Sequence, residues 1–245
     1  MNPKETGIGA SFEEQFLNVE YLQFGNERIP SIDISPEKPT GRPVLFVPGW
    51  NAKIDDYMAA IEELFRRGKR VLSAEFSGTE DEKAEEIQDL VTGRNIIGAD
   101  IIAHSVGSIS TALAALKRPD IFHKMVFLNP ASMVGEDSEK GLIRRYAQLL
   151  KEESNESVEQ GEGGVRRFFD MARVITKFDM YSSLRRLREL GVSVTSVHAL
   201  SDRLFPHERI ELEASRQDWK NIIIRPGGHL SIDGLIPDAL ELLKN

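Results

Sequence analysis

The sequence predicts an α/β protein: a mostly parallel central sheet with helices on both faces, an antiparallel hairpin at its amino-terminal edge, and a helical insertion after the sixth strand. Three observations predict it. Short runs that are apolar at every residue, such as Val44-Leu45-Phe46-Val47, alternate with segments of helical periodicity. Such runs suit strands covered on both faces, as parallel sheets require. From residue 132 to 190 the strand rhythm stops and only helical spacing recurs, before strands resume. The chain of 245 residues is long enough for one large core and short for two domains of this class.

Phe16 to Phe24 alternates apolar and polar residues and reads as a strand, with Gly25-Asn26-Glu27 as the turn and Arg28 to Ile34 as its hairpin partner. Residues 36–43 form a loop bounded by prolines. Val44 to Val47 is a buried strand closed by Pro48-Gly49. Tyr57, Ile61, Leu64 and Phe65 fall on one face of the helix that follows. Arg70 to Ala74 is the next strand. Ile87, Leu90 and Val91 place a helix on the sheet, after an acidic run from Glu80 to Glu86 that reads as a solvated face. Ala99 to Ile102 is a strand, Ser108 to Leu116 a helix, and Lys124 to Leu128 a strand ended by Asn129-Pro130. Leu142, Ile143, Tyr146, Leu149 and Leu150 recur at helical spacing, and so do Phe168, Phe169, Ala172, Ile175, Tyr181, Leu184 and Leu187. Ser154 to Gly164, between them, is polar and reads as a loop. Val192 to Leu200 and Asn221 to Ile224 are strands, and Leu235 to Leu243 is the closing helix. The expected division is a core of residues 1–131 and 191–245 with a helical insertion at 132–190.

Composition removes several classes of function. A formal net charge of −8 lacks the basic face that nucleic acid demands. The absence of cysteine excludes disulfides, thiolate metal sites and cysteine nucleophiles. The first residues lead into no apolar signal core, and no apolar stretch approaches the length of a bilayer span. The expectation is a cytoplasmic protein with no membrane span and no nucleic-acid partner.

Ala103-His104-Ser105-Val106-Gly107 lies between a strand and a helix. Strand, sharp turn and helix with serine at the turn make a nucleophile elbow, which lifts the hydroxyl out of the sheet edge. Small residues are needed on both sides because the two backbones come close, and Ala103 and Gly107 meet that need. Chance supplies about one Ser-x-Gly in a chain this long, so the partners must carry the reading. An activated serine needs a base, and an acid to orient it.

Five histidines compete for the role of base. His104 sits inside the elbow and should point away from Ser105. His123 lies at the wrong end of a strand. His198 sits within an apolar strand and reads as a satisfied core histidine. His207 follows Pro206 at a helix start, as an exposed or capping residue. His229 follows the last strand through Arg225-Pro226-Gly227-Gly228, the position that suits a base. Asp202, the first carboxylate beyond Val192 to Leu200, is the expected acid; the alternative is a turn aspartate. The rival position after the preceding strand holds Asn129, whose amide carries no charge to hold an imidazolium. The backbone N–H groups of Val106 and Trp50 are the expected oxyanion hole, the alternative for Trp50 being a packing residue in a plain strand-to-helix turn.

Four pieces occur in order: Val44-Leu45-Phe46-Val47-Pro48-Gly49-Trp50, the elbow pentapeptide, Leu200-Ser201-Asp202 with Pro206, and Gly228-His229. Together they resemble the α/β-hydrolase superfamily over nearly the whole chain. The family usually has His-Gly where this chain has Pro48-Gly49, a departure in a loop whose donors are backbone groups. The resemblance implies the α/β-hydrolase fold with a helical cap at 132–190. It also implies a hydrolase without cofactor or metal that forms an acyl-enzyme on Ser105, with Asp202 and His229 completing the catalytic set. A serine at the elbow disfavours the members that use an aspartate nucleophile. The expected activity is that of a carboxylesterase on a small-molecule acyl ester. A thioesterase or acyltransferase, a carbon–carbon-bond hydrolase, and a non-catalytic ligand-binding protein on the same fold are the alternatives. Phe168, Phe169, Met171, Met180 and Tyr181 either line the substrate pocket, with Trp50, or pack the cap on the core; helical spacing of these five fits both.

Overall fold

The computed structural model describes residues 20–24, 27–135, 138–153 and 164–244, with the side chains of Phe24, Glu27, 150–153 and 164–168 outside that description. The hairpin opens with β1 (Glu20–Phe24) and β2 (Glu27–Ile34), which pair antiparallel from Phe24↔Glu27 to Glu20↔Ser31. Phe16 to Val19 and the turn residues Gly25 and Asn26 lie outside the described residues. Then come β3 (Val44–Val47), β4 (Val71–Ala74), β5 (Ala99–His104), β6 (Phe122–Leu128), β7 (Ser193–Ala199) and β8 (Ile222–Arg225). They form one eight-stranded sheet in the order β1-β2-β4-β3-β5-β6-β7-β8. β2 meets β4 antiparallel, and every pairing from β4 to β8 is parallel.

Every residue of β3, β4 and β5 is buried, because helices cover both faces. Side chains alternate between those faces with the pleat. Leu45, Val47, Ile101, Ala103, Met125 and Phe127 belong to one cluster. It is closed by α2 (Glu80–Gly93), α3 (Gly107–Lys117) and α6 (Met180–Glu189), through residues such as Ile87, Ile109 and Leu184. Val44, Phe46, Ile102, Val126 and Leu128 belong to the other, closed by α1 (Met58–Arg66) and α8 (Ile236–Lys244) through Ile61, Leu64, Ala239 and Leu243. Each fully buried Leu or Ile contributes about 1.5–3 kcal/mol. The remaining helix of the core, α7 (His207–Arg216), lies between β7 and β8.

The acidic run at the start of α2 differs from the expected solvated face. Thr79 and Glu82 form a capping box, with Thr79 N–H donating to Glu82 Oε2 at 2.7 Å. Glu80 is buried, where it accepts from Lys83 at 2.7 Å and from Ser110 Oγ on α3 at 2.8 Å. Carboxylates are favoured in a first helical turn by the helix dipole, and here one of them also ties two helices together.

Between β6 and β7 stand α4 (Glu139–Glu153), α5 (Gly164–Lys177) and α6. They divide in two. α4 packs against α5, whereas α6 packs against α3 and β7, in the helical layer of the sheet. Among the described residues no helix is long and apolar enough to cross a membrane.

Candidate active site

β5 ends at His104 and α3 begins at Gly107, so Ser105 sits on the turn between them. Its φ of 51° is left-handed, a conformation that costs a non-glycine residue about 1–3 kcal/mol and that persists only when its surroundings fix it. They do. Ser105 N–H donates to Leu128 O at 3.0 Å, and Ser105 O accepts from Ala131 N–H at 3.1 Å and from Ser108 Oγ at 2.6 Å. A Cβ at Gly107 would stand 2.2 Å from Pro48 O, so this turn admits glycine alone.

Two loops bring partners to the serine. His229, after β8, places Nε2 3.1 Å from Ser105 Oγ and Nδ1 2.8 Å from Asp202 Oδ2. Asp202, after β7, uses Oδ1 to accept from the backbone N–H groups of Leu204 at 2.8 Å and Phe205 at 2.9 Å. All three side chains are buried. A carboxylate only accepts, so Nδ1 of His229 carries the proton and Nε2 offers its lone pair to the serine hydroxyl. The Phe205 ring stands edge-on to the imidazole at 5.3 Å and limits its rotation.

A second set of contacts lies behind His229. The Nε2 atom of His104 is 3.0 Å from the backbone carbonyl of His229, and its Nδ1 is 2.7 Å from Tyr57 Oη. Tyr57 Oη accepts from Gly49 N–H at 3.0 Å. Burial, with the nearby His229, pushes the His104 imidazole down to about 3, and burial raises the Tyr57 phenol, so both are neutral. Asn129 Nδ2 donates to the carbonyls of His229 at 3.0 Å and Gly228 at 3.2 Å, while its Oδ1 accepts from Ala199 N–H at 2.7 Å. Asn129, just past β6, therefore links the His229 loop to the end of β7. The other histidines stand away from the serine. His123 bonds Asp100 at 2.8 Å, and His207 opens α7. His198 uses Nε2 on Ser196 Oγ at 2.9 Å and is pushed down to about 4 by burial. Its Nδ1 has no partner among the described residues, so it is half-satisfied where full satisfaction was expected.

No protein-family model and no curated protein matches the sequence. Solved structures do match the fold. An enol-lactonase from Burkholderia xenovorans superposes with a TM-score of 0.68 at 11% identity, over 92% of this chain and 100% of that one.

The chain has the α/β-hydrolase fold.

One of the carboxylesterases of the ammonia-oxidizing thaumarchaeon Nitrososphaera gargenis gives 0.64 at 14% identity, over 92% of this chain and 96% of that one. A bromoperoxidase from Bacillus anthracis gives 0.65 at 14%, over 92% and 99%. Three differently named activities on one α/β-hydrolase fold mean that function must be argued from the site.

In α/β sheets ligands bind beyond the carboxyl ends of the strands, and a cavity of about 80 Å³ lies there, beside Ser105, Val106 and His229. Trp50 and Leu204 line it from the core; Leu142, Tyr146, Met171 and Ile175 line it from α4 and α5. The Trp50 and Tyr146 rings meet at 5.8 Å and join the two walls. The expected pocket residues fare differently. Trp50 is in the wall. Phe169 is 42% exposed and outside the lining, because it lies two residues, roughly half a helical turn, from Met171. Met180 is fully buried at the start of α6, packed into the sheet-side core with Leu184 and Leu187. The side chain of Phe168 lies outside the described residues. A larger cavity of about 650 Å³, lined by Arg42, Asp100, His123 and Lys124, opens at the amino ends of β3, β5 and β6, far from the serine. Among the described residues no group of His, Asp and Glu is arranged to hold a metal ion.

Proposed function

We propose that the protein is a serine hydrolase that cleaves small carboxylic esters through an acyl-enzyme on Ser105. The observation that carries this reading is the hydrogen-bonded series Ser105–His229–Asp202 at the floor of an apolar cavity. His229 Nε2 takes the hydroxyl proton as Oγ attacks the ester carbonyl. The resulting imidazolium keeps its Nδ1–H on Asp202, which two backbone N–H groups hold in place. The backbone N–H groups of Val106 and Trp50, on the two loops beside the serine, are assigned to the oxyanion. Collapse of the tetrahedral adduct expels the alcohol with the proton from His229. Water then releases the acid by the same steps in reverse order.

The cavity supports the size and polarity of the substrate. A cavity of about 80 Å³ beside the serine suits a short acyl chain over a long one. Leu142, Met171 and Ile175 offer that chain no charge. The helices α4 and α5 form the cap of this reading, narrower than the whole insertion.

A fluorophosphonate probe tests the reading: it should label the wild type, and Ser105→Ala should abolish both labelling and turnover of short p-nitrophenyl esters. Labelling that survives Ser105→Ala would move the nucleophile elsewhere. A folded wild type that takes no label would leave a ligand-binding protein.

A further inference from the structure

His104 precedes Ser105, and neighbouring strand residues point to opposite sides, so its imidazole leaves the serine alone. What it reaches is the back of the site. We propose that Tyr57 and His104 are positioning residues that tie the oxyanion loop at Gly49-Trp50 to the loop of the base, His229, and so keep the two in register. The proposal rests on the reading of Ser105 and His229 as nucleophile and base.

The chain of bonds has only one satisfactory direction. The His229 carbonyl can only accept, so Nε2 of His104 carries the proton. Burial keeps the ring neutral, so Nδ1 is an acceptor, and the Tyr57 hydroxyl must donate to it. The oxygen of Tyr57 is then open to accept, and Gly49 N–H is 3.0 Å away. The other tautomer would set a lone pair of Nε2 against the carbonyl oxygen of His229. Four groups, drawn from the loops after β3 and β8, the last residue of β5 and the turn before α1, are thus satisfied in a single arrangement. Partly satisfied networks are costly in a dry interior, whereas complete ones fix geometry.

The packing around these groups is equally tight. A Cβ at Gly49 would stand 3.1 Å from Tyr57 Oη, 3.2 Å from His104 Nδ1 and 3.3 Å from Ser105 Cβ. The Tyr57 ring is itself held on Phe46 of β3 at 5.0 Å. Because Tyr57 engages Gly49 N–H, that amide is not an oxyanion donor; the bond fixes the Pro48–Gly49 peptide, from which the chain runs on to Trp50 and its N–H. Oxyanion donors work by being preorganised, and an error of about 1 Å in placement can cost about 100-fold in rate.

Tyr57→Phe and His104→Gln test the idea. Tyr57→Phe keeps the ring packing and removes the hydroxyl. His104→Gln keeps a donor for the His229 carbonyl and removes the acceptor for Tyr57. Rates are taken per active site, titrated with the fluorophosphonate, so a fraction of misfolded protein does not count. Each variant should lower kcat about 10-fold or more, short of the about 10²–10³-fold that follows loss of a whole oxyanion donor, with KM within about 2-fold of wild type. A short alkyl trifluoromethyl ketone adds to Ser105 Oγ, its carbonyl oxygen becoming the oxyanion as the serine proton passes to His229. Its Ki should rise by the factor by which kcat/KM falls. The double variant should cost no more than the larger single one, because both cut the same chain. Wild-type kcat per site in both single variants, a fall in kcat without the matching rise in Ki, or costs that multiply in the double variant would each overturn the proposal. Should Tyr57→Phe fail to fold, the same kcat and Ki comparison on His104→Gln decides it. A wild type that takes no fluorophosphonate would instead sink the serine-hydrolase reading beneath it.

Discussion

Replacing Gly107 with alanine would put a methyl carbon 2.2 Å from the carbonyl oxygen of Pro48, 3.0 Å from that of Val47 and 3.1 Å from the carbonyl carbon of Pro48. All three atoms are backbone, at the end of a central strand, so no side-chain rotation relieves the clash. Ordinary contact begins at about 3.4 Å, so Pro48 must retreat by roughly 1 Å. Overpacking of this kind costs about 1–3 kcal/mol of stability. The larger effect should fall on catalysis, because the displaced segment leads directly into Gly49-Trp50. A shift of about 1 Å in a group that must meet the transition state costs about 100-fold, or about 2.7 kcal/mol of barrier. Urea unfolding gives the first quantity, and kcat per titrated site on a short p-nitrophenyl ester gives the second. Gly93→Ala is the control. It lies at the exposed end of α2 with nothing within 4 Å of the new Cβ, and should be neutral or stabilising by up to about 1 kcal/mol. Gly107→Ala with stability and kcat equal to those of the control would refute the reasoning, and with it the close approach of the elbow to the loop.

Asp202→Asn should lower kcat by about 10⁴-fold with the fold intact. Its amide oxygen would keep the Leu204 and Phe205 N–H groups, turning the NH₂ toward His229 Nδ1 and driving the imidazole proton to Nε2, where it blocks acceptance from Ser105; wild-type kcat would place the acid elsewhere. Met171→Ala should shift the preferred acyl chain longer by about two or three carbons, read from kcat/KM across a series of p-nitrophenyl esters, since Met171 is one wall of a cavity of only about 80 Å³; an unchanged optimum would remove it from the acyl pocket. Acid should destabilise the protein through His104 and His198, held neutral by burial at about 3 and about 4 against an ordinary 6.5. Below pH 6.5 the unfolded chain takes up a proton at each while the native state does not. Their contribution is therefore present above pH 6.5 and lost as pH falls toward the native values. Between pH 7 and pH 5 each should cost about 2 kcal/mol. In urea unfolding at the two pH values, His198→Gln should lose about 2 kcal/mol less than wild type, and an equal loss would contradict the sign.

Much of this was legible because strand ends are punctuated. Pro48-Gly49, Asn129-Pro130, Ser201-Asp202 and Gly227-Gly228 each break an apolar run, and the side chains that meet at Ser105 lie just past such breaks. Strand limits drifted by a residue or two; β6 starts at Phe122, ahead of the expected Lys124, because a short 3₁₀ turn at Pro119–Ile121 ends against it. The helices between β6 and β7 were less legible. Helical spacing gives a stripe without saying what the stripe faces, so Phe169 and Met180 looked as suitable as Met171 and Ile175. The packing of α6 on α3 takes Met180 into the core, and half a turn of α5 takes Phe169 off the cavity. His104 shows a different limit. Its direction away from Ser105 follows from strand geometry, but the group waiting there belongs to a loop 125 residues later. Nothing local to the pentapeptide announces it. Glu80, buried inside an acidic run, was hidden in the same way by a partner on another helix.

β8 has consequences out of proportion to its four residues. It is the last strand of the sheet, pairs among the described residues with β7 alone, and none of its residues is fully buried. Edge elements with few neighbours open at lower free energy than the rest of a domain, and His229, the proposed base, lies four residues beyond this one. Mild denaturant should therefore silence the protein while its helices are still intact, so that lost turnover reports fraying at one margin of the molecule. The same dependence applies at birth. A nascent chain can assemble the elbow and most of the sheet, yet on this reading Ser105 stays without its partner until β8 and the loop that carries His229 have left the ribosome and docked.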